Sequence, residues 1–224
     1  MNFQKNKDAI FSAVSKAAEK AGRPSESVKV IAVTKYVDSS IANQLVNTGI
    51  THIGENRVDQ FLEKYNALAD KQLTWHLIGT LQRRKVKDII PFVDYFHALD
   101  SVKLAQEIDK RATKIVKCFL QVNVSGEESK HGFAVSEIDA ALAEISLLEN
   151  IELVGLMTMA PIDATDAELD EIFSKMQEIQ EELATRNYLP RMPFTELSMG
   201  MSGDFERAIA HGATYVRIGS AFFE

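Results

Sequence analysis

The chain has 224 residues, of which 46% are apolar and 25% charged, a composition typical of a folded protein that argues against wholesale disorder. Its net charge of −7 argues against a general attraction to nucleic acid or to anionic membranes. The single cysteine, Cys118, excludes an internal disulfide and a cysteine-rich zinc site. It suits a reducing cytoplasm, where we expect the protein.

The N-terminal segment predicts a helix and no targeting signal. It has only a short apolar run and no small-residue cleavage pattern, so we expect no signal peptide. No stretch approaches the roughly 18 apolar residues of a membrane span. The helical stripe consists of Ile10, Val14, Ala17 and Ala21.

Short apolar segments then alternate with segments of helical periodicity along the whole chain. Their starts are 20 to 43 residues apart, and most intervals fit one strand plus one helix of a parallel array. The predicted strands are Val28–Lys35, His52–Asn56, Thr74–Gly79, Tyr95–Asp100, Lys117–Ser125, Glu152–Met159, Thr195–Gly200 and Tyr215–Phe223.

Eight such units favour the α/β class and a single (β/α)8 TIM barrel that forms one domain, residues 1–224. The alternative is an open doubly wound sheet, but no predicted strand is followed by a glycine-rich dinucleotide turn. The last predicted strand has no helix after it, whereas a helix precedes the first. We therefore expect the N-terminal helix to complete the outer ring.

In such a barrel, chemistry takes place at the carboxyl ends of the strands, and Lys35 follows the apolar run VIAVT. A free amine at the rim of an apolar pocket can form a Schiff base with a carbonyl compound. The alternative is a lysine that only marks the end of a strand.

Two glycine-containing segments follow the last two predicted strands, where barrels commonly bind phosphate. Ser202, in the first, has a hydroxyl for a phosphate oxygen, and Gly219, in the second, allows close backbone approach. The alternative is a plain helix cap and two turns. Arg217 lies inside the apolar strand YVRIG, so it needs either a structural ion pair or a ring nitrogen of a cofactor.

Other polar side chains carry weaker signals. We interpret His76 and His97 as core or rim histidines and predict no metal, because metal-binding spacings such as HExxH are absent. Glu55 and Asp100 are candidates for an acid and a base. The basic run at residues 83–87 is typical of a solvated helix face.

Taken together and in order, eight motifs resemble the YggS/PROSC-type pyridoxal phosphate (PLP) homeostasis proteins. They cover nearly the whole chain, and jointly they are highly specific. Many relatives have asparagine where this chain has Arg84, so no role is given to that position. The motifs are AVTK (32–35), GENRVDQ (54–60), WHLIGTLQRRKVK (75–87), HALDS (97–101), QVNVSGEESKHGF (121–133), GLMTM (155–159), LSMGMSGDFERAI (197–209) and VRIGSAFF (216–223).

The resemblance implies a barrel like the N-terminal domain of alanine racemase, the fold of the fold-type III PLP proteins. It implies that Lys35 carries PLP as an internal aldimine, that Arg217 faces the pyridine nitrogen and that Asn56 lies near the ring. It also implies that Ser202, Gly219 and Ser220 hold the phosphate.

Three functions remain open. The first is a PLP-binding protein of PLP homeostasis, without strong catalysis, with PLP and PLP-dependent apo-enzymes as partners; we expect a monomer, with a dimer as the alternative. The second is a PLP-dependent amino-acid racemase, although the resemblance implies no second domain that would bring the opposing acid/base that racemisation needs. The third is an aldolase in which Lys35 attacks a phosphorylated sugar.

Lys130 lies on a charged loop and is interpreted as a surface residue.

Overall fold

Parallel strands close into a barrel in the computed structural model, which describes residues 1–127, 131–186 and 191–224. Within these residues eight strands form the barrel, and a ninth short strand, β6, pairs only with β5. The strands are β1 (Lys29–Val33), β2 (His52–Glu55), β3 (Thr74–Leu77), β4 (Tyr95–Leu99), β5 (Val116–Asn123), β6 (Phe133–Ala134), β7 (Ile151–Met157), β8 (Glu196–Met201) and β9 (Tyr215–Ile218).

The pairing runs β1, β2, β3, β4, β5, β7, β8, β9 and back to β1, and every pair is parallel. This closed order confirms the predicted TIM barrel and excludes the open sheet. The strands are buried on both faces, which explains why they appear in the sequence as continuous apolar runs.

Helices connect successive strands on the outside of the barrel. Three of them begin with side-chain caps that the sequence specifies, and in one of these Ser101 Oγ accepts the N–H of Leu104. Asp38 Oδ1 accepts the N–H of Ile41, and Thr165 forms a capping box with Glu168. The helices are α1 (Phe3–Lys20), α2 (Ser39–Val46), α3 (Val58–Ala67), α4 (Val86–Ile89), α5 (Val102–Arg111), α6 (Ile138–Ile145), α7 (Asp166–Ala184) and α8 (Phe205–Ala210), with 3-10 turns at Ser25–Ser27, Arg83–Lys85, Ile90–Phe92, Val135–Glu137 and Ser220–Phe222.

Helix α1 fills the gap in the outer ring, as predicted, because it packs against α8, α2 and the C-terminal turn. Asn6 Nδ2 donates to the carbonyl oxygens of Phe222, at 3.0 Å, and Glu224, at 2.8 Å. The buried stripe consists of Ile10, Val14 and Ala18. Ala18 thus takes the buried place predicted for its neighbour, Ala17.

The last strand is shorter than predicted. It ends at Ile218 rather than at Phe223, and Ser220–Phe222 forms a 3-10 turn. The apolar run continues past the strand because Phe222 packs into the core rather than pairing with another strand. In the described part of the chain, no helix has both the length and the apolar character needed to cross a membrane.

Candidate functional site at the carboxyl end of the barrel

Lys35 lies at the mouth of the barrel, in the turn between β1 and α2. Its side chain is half-buried, and its Nζ lies 4.8 Å from the ring centroid of the exposed Tyr36. Among the described residues, no hydrogen bond or ion pair occupies the amine. A primary amine in this position is available to react with a carbonyl group.

The residue before Lys35 is held by a buried ion pair. Lys64, on α3, contacts Glu55 Oε1 with its Nζ at 2.6 Å, and both side chains are almost completely excluded from solvent. The same amine donates to the carbonyl oxygen of Thr34 at 2.9 Å, and the Thr34 hydroxyl donates to Glu55 Oε1 at 2.5 Å. These bonds fix the backbone from which Lys35 projects.

This ion pair also corrects the prediction for Glu55. The carboxylate bonds Lys64 of α3, on the outside of the barrel wall, and is not available as an acid or base at the mouth. Asp100 lies elsewhere, with Oδ2 3.6 Å from His131 Nδ1, and burial raises the pKa of its carboxyl. The two carboxylates therefore do not form a catalytic pair.

Asn56 follows β2 and continues the alternation that points His52 into the barrel. Its Oδ1 is buried and has no hydrogen-bond partner in the described structure. The Asn56 backbone passes so close to Gly79 that a Cβ at Gly79 would lie 2.1 Å from the Asn56 carbonyl oxygen. Gly79, the glycine of the WHLIG motif, thus allows the loops after β2 and β3 to meet. The Oδ1 of Asn56 is a buried hydrogen-bond acceptor at this meeting point.

Ser202 and Gly219 meet at the ends of β8 and β9, as predicted. The Gly219 N–H donates to Ser202 Oγ at 3.3 Å, and a Cβ at Gly219 would lie 3.5 Å from Val33, the last residue of β1. Ser220, which is exposed, begins the adjoining 3-10 turn. The cradle of these three residues therefore adjoins the strand that leads to Lys35.

Asp204 closes the loop that follows β8. Its Oδ1 accepts the N–H of Met201 at 2.6 Å, which turns the loop after β8 back on itself. Gly200, inside β8, has φ of +97°, in the left-handed region that favours glycine, where the register between β8 and β9 shifts.

Arg217 lies inside the barrel and is almost fully buried. It makes no ion pair with any described residue, so the structural ion pair considered above is not seen. Its guanidinium donates to Ser198 Oγ at 2.6 Å and to the carbonyl oxygen of Thr158 at 3.0 Å. Burial lowers the pKa of Arg217 to about 10, and the carboxylate of Asp204 partly opposes this effect.

Three histidines form a hydrogen-bonded chain beneath Arg217. His52 Nδ1 lies 2.9 Å from His76 Nε2, His76 Nδ1 lies 2.8 Å from His97 Nε2, and His97 Nδ1 lies 2.8 Å from Ser198 Oγ. The interpretation of His76 as a core histidine is thereby supported. In the described ranges, no group of three His, Cys, Asp or Glu side chains is placed to hold a metal ion.

A cavity of about 350 Å³ opens beside this site, at the ends of β5, β7 and β8. Its lining includes Gln121, Thr158 and Met201 but not Lys35.

The predicted surface residue Lys130 lies outside the described residues. Arg84 is exposed, and its Nε bonds the side chain of Gln82, in agreement with a solvated basic run.

Sequence reasoning missed Lys64, Ser198 and His52. Lys64 appears in the sequence as an ordinary charged residue of an amphipathic helix, and nothing marks it as buried. The histidines did carry a signal, because their spacings of 24 and 21 residues match the strand repeat of the barrel.

Comparisons with known proteins show the family and the fold. The family model for the alanine racemase N-terminal domain matches residues 6–224. A relative from Aquifex aeolicus (strain VF5), named pyridoxal phosphate homeostasis protein, is 39% identical over 226 residues, which span 100% of this chain and 98% of the relative. A protein of the same name from Pseudomonas aeruginosa is 34% identical and covers 96% of this chain and 91% of its own.

Among solved structures, PipY of Synechococcus elongatus PCC7942 with PLP bound has a TM-score of 0.83 and 34% identity, over 95% of this chain and 99% of that one. Alanine racemase from Corynebacterium glutamicum, at 16% identity and a TM-score of 0.73, covers 96% of this chain and 61% of its own, and shares the fold. The chain belongs to the alanine racemase N-terminal domain family, and within it to the pyridoxal phosphate homeostasis proteins.

Proposed function

We propose that this chain binds PLP through Lys35 at the mouth of the barrel and serves in PLP homeostasis rather than as an enzyme. The observation that carries the proposal is the cradle of Ser202, Gly219 and Ser220, which adjoins the end of β1 two residues before Lys35. A reactive amine next to an anion cradle matches an aldehyde that carries a phosphate.

The residues present fit PLP in three respects. The Lys35 amine condenses with an aldehyde carbonyl, forming a C=N bond and releasing one water molecule. Arg217 presents N–H groups to a pyridine nitrogen, and the unpartnered Oδ1 of Asn56 supplies an acceptor at the mouth. When bound, PLP supplies an electrophilic aldehyde and an electron-withdrawing ring.

Homeostasis means keeping or delivering PLP, and PLP-dependent apo-enzymes are the recipients that we propose. The names of the relatives and the PLP bound in PipY support this function. We further propose a cytoplasmic, monomeric protein made of one domain, residues 1–224. The free, buried Cys118 is compatible with a reducing compartment.

The cradle predicts a strong preference for the phosphorylated cofactor. Pyridoxal, which lacks the phosphate, loses charge-assisted hydrogen bonds worth about 1.5–3 kcal/mol each, so it should bind at least about tenfold more weakly than PLP. Parallel titrations of both compounds measure the ratio. Ser202→Ala should reduce the ratio, whereas Ser12→Ala, on the exposed face of α1, should leave it unchanged. Equal affinity for the two compounds in the native protein would refute the cradle.

We also expect no substantial racemase, decarboxylase or transaminase turnover on the common amino acids. Two-base racemisation needs a positioned group on each face of Cα, and losing one such group typically costs about 10²–10⁴ in rate. His76 is buried in the histidine chain, and Tyr36 is exposed beside Lys35, so neither is positioned opposite the lysine. A chiral assay tests this expectation. Turnover near the usual range of about 1–10³ s⁻¹, lost in Lys35→Ala, would overturn the non-catalytic assignment.

A further inference from the structure

The histidine chain crosses the interior of the barrel from its amino end to Arg217. His76 is in register with Gly54, two residues beyond His52, and Tyr95, two residues before His97, is in register with His76. Each histidine therefore lies one pleat higher than the one before it. This is the diagonal path that strand stagger produces in a barrel.

Ring packing fixes the orientation of the two inner histidines. The His76 ring stacks on Tyr95, with centroids 4.9 Å apart and planes within 14°, and the His97 ring stacks on Phe119 at 4.3 Å and 18°. Both imidazoles are fully buried, and burial lowers both of their pKa values well below the usual range. Burial also lowers the pKa of His52. Each N···N contact between these histidines needs one donor and one acceptor nitrogen, which neutral imidazole rings supply.

The arginine at one end determines which nitrogen carries each proton. A guanidinium only donates, so Ser198 Oγ accepts from Arg217. Among the described residues, His97 Nδ1 is the one acceptor within hydrogen-bond distance of the Ser198 hydroxyl, so the hydroxyl hydrogen points to His97 Nδ1. His97 must then donate from Nε2 to His76 Nδ1, and His76 from Nε2 to His52 Nδ1. All three histidines are thus in the Nε2–H form, and every hydrogen points away from Arg217.

The chain ends at a second opening of the barrel. His52 lines a cavity of about 430 Å³ at the amino end, together with Lys29, Tyr95, Lys117 and Tyr215. Within the described residues no group accepts a hydrogen bond from His52 Nε2. Hydrogen bonds in such a chain polarise one another, so the groups at its two ends are coupled.

We propose that Ser198, His97, His76 and His52 are positioning residues that hold the Arg217 guanidinium and connect it to the amino-end cavity. Since Arg217 is the group that we place at the PLP ring nitrogen, the effect on PLP rests on the proposed function. The direction of the hydrogen bonds along the histidine chain does not depend on the proposed function.

The first test is NMR of the full chain with ¹⁵N-labelled histidine, in the absence of PLP. Nitrogen shifts and couplings distinguish the two neutral tautomers, and we expect Nε2–H at positions 52, 76 and 97. Arg217→Met removes the donor that orders the histidine chain, so His97 should gain a population of the Nδ1–H form. His211, which contacts Asp170 and is not part of the histidine chain, should stay unchanged. A His97 in the Nδ1–H form in the native protein, or tautomers that do not respond to Arg217→Met, would overturn the proposal.

The second test measures PLP affinity from the far end of the chain. His52→Leu removes the acceptor for His76 and should weaken PLP binding measurably, by no more than the roughly 10-fold that the loss of one neutral hydrogen bond is worth. His52→Asn, whose Oδ1 can accept in place of Nδ1, should restore most of the affinity. Lys117 lines the same cavity but is not part of the histidine chain, so Lys117→Ala should have no effect on PLP affinity. If His52→Leu binds PLP with the same affinity as the native protein, the coupling is overturned. If the native protein does not bind PLP, the proposed function is overturned, and the NMR test alone decides the direction of the histidine chain.

Discussion

Replacing Lys64 with alanine should lower the free energy of unfolding by about 3–5 kcal/mol, because it leaves the carboxylate of Glu55 buried without its partner. The pair is almost completely excluded from solvent, and the amine also holds the carbonyl oxygen of Thr34. Chemical denaturation measured at neutral pH gives the value. Lys103→Ala, an exposed lysine of α5, is the matched control and should change it by no more than about 0.5 kcal/mol.

A double variant distinguishes the cost of an unpaired buried charge from the cost of lost side-chain packing. Glu55→Leu combined with Lys64→Met removes both charges and keeps apolar volume, so it should recover much of the lost stability. A Lys64→Ala protein as stable as the native one would contradict the role assigned to the pair. If the pair positions Lys35, the double variant should also bind PLP more weakly than the native protein, although it is folded.

Lys35→Ala should abolish the covalent attachment of PLP while leaving the barrel folded. The side chain is half-buried at the rim and contributes little to the core, so we expect a change in stability of about 1 kcal/mol at most. The measurement is the visible absorption of protein-bound PLP, combined with a thermal unfolding curve. Lys103→Ala again serves as the control and should keep the absorption. A Lys35→Ala protein with undiminished absorption would exclude Lys35 as the attachment point.

The sequence was sufficient to predict the barrel because strand and helix periods alternate without interruption. It was also sufficient to predict that Lys35, Ser202 and Gly219 lie at one end of the barrel, because the carboxyl ends of parallel strands converge on one face. Their role toward PLP stays a prediction. The position of α1 could be predicted because the last strand has no helix after it. Its buried face was predicted to include Ala17, whereas the buried residue is Ala18.

The buried polar networks could not be predicted, because they depend on which side of the barrel wall a side chain occupies. Glu55 and Asn56 are adjacent in the sequence, yet strand alternation turns one toward α3 and the other toward the mouth. Ser198 is one of several serines in the chain, and only the register of β8 and β9 places it between Arg217 and His97.

The most direct test of the central claim is to identify the lysine that carries PLP. The native protein is mixed with PLP, reduced with borohydride and digested, and the peptides are mapped by mass spectrometry. We expect the reduced PLP adduct on the peptide that contains Lys35 as the principal species. A principal adduct at another lysine, or no adduct on the native chain, would contradict the account.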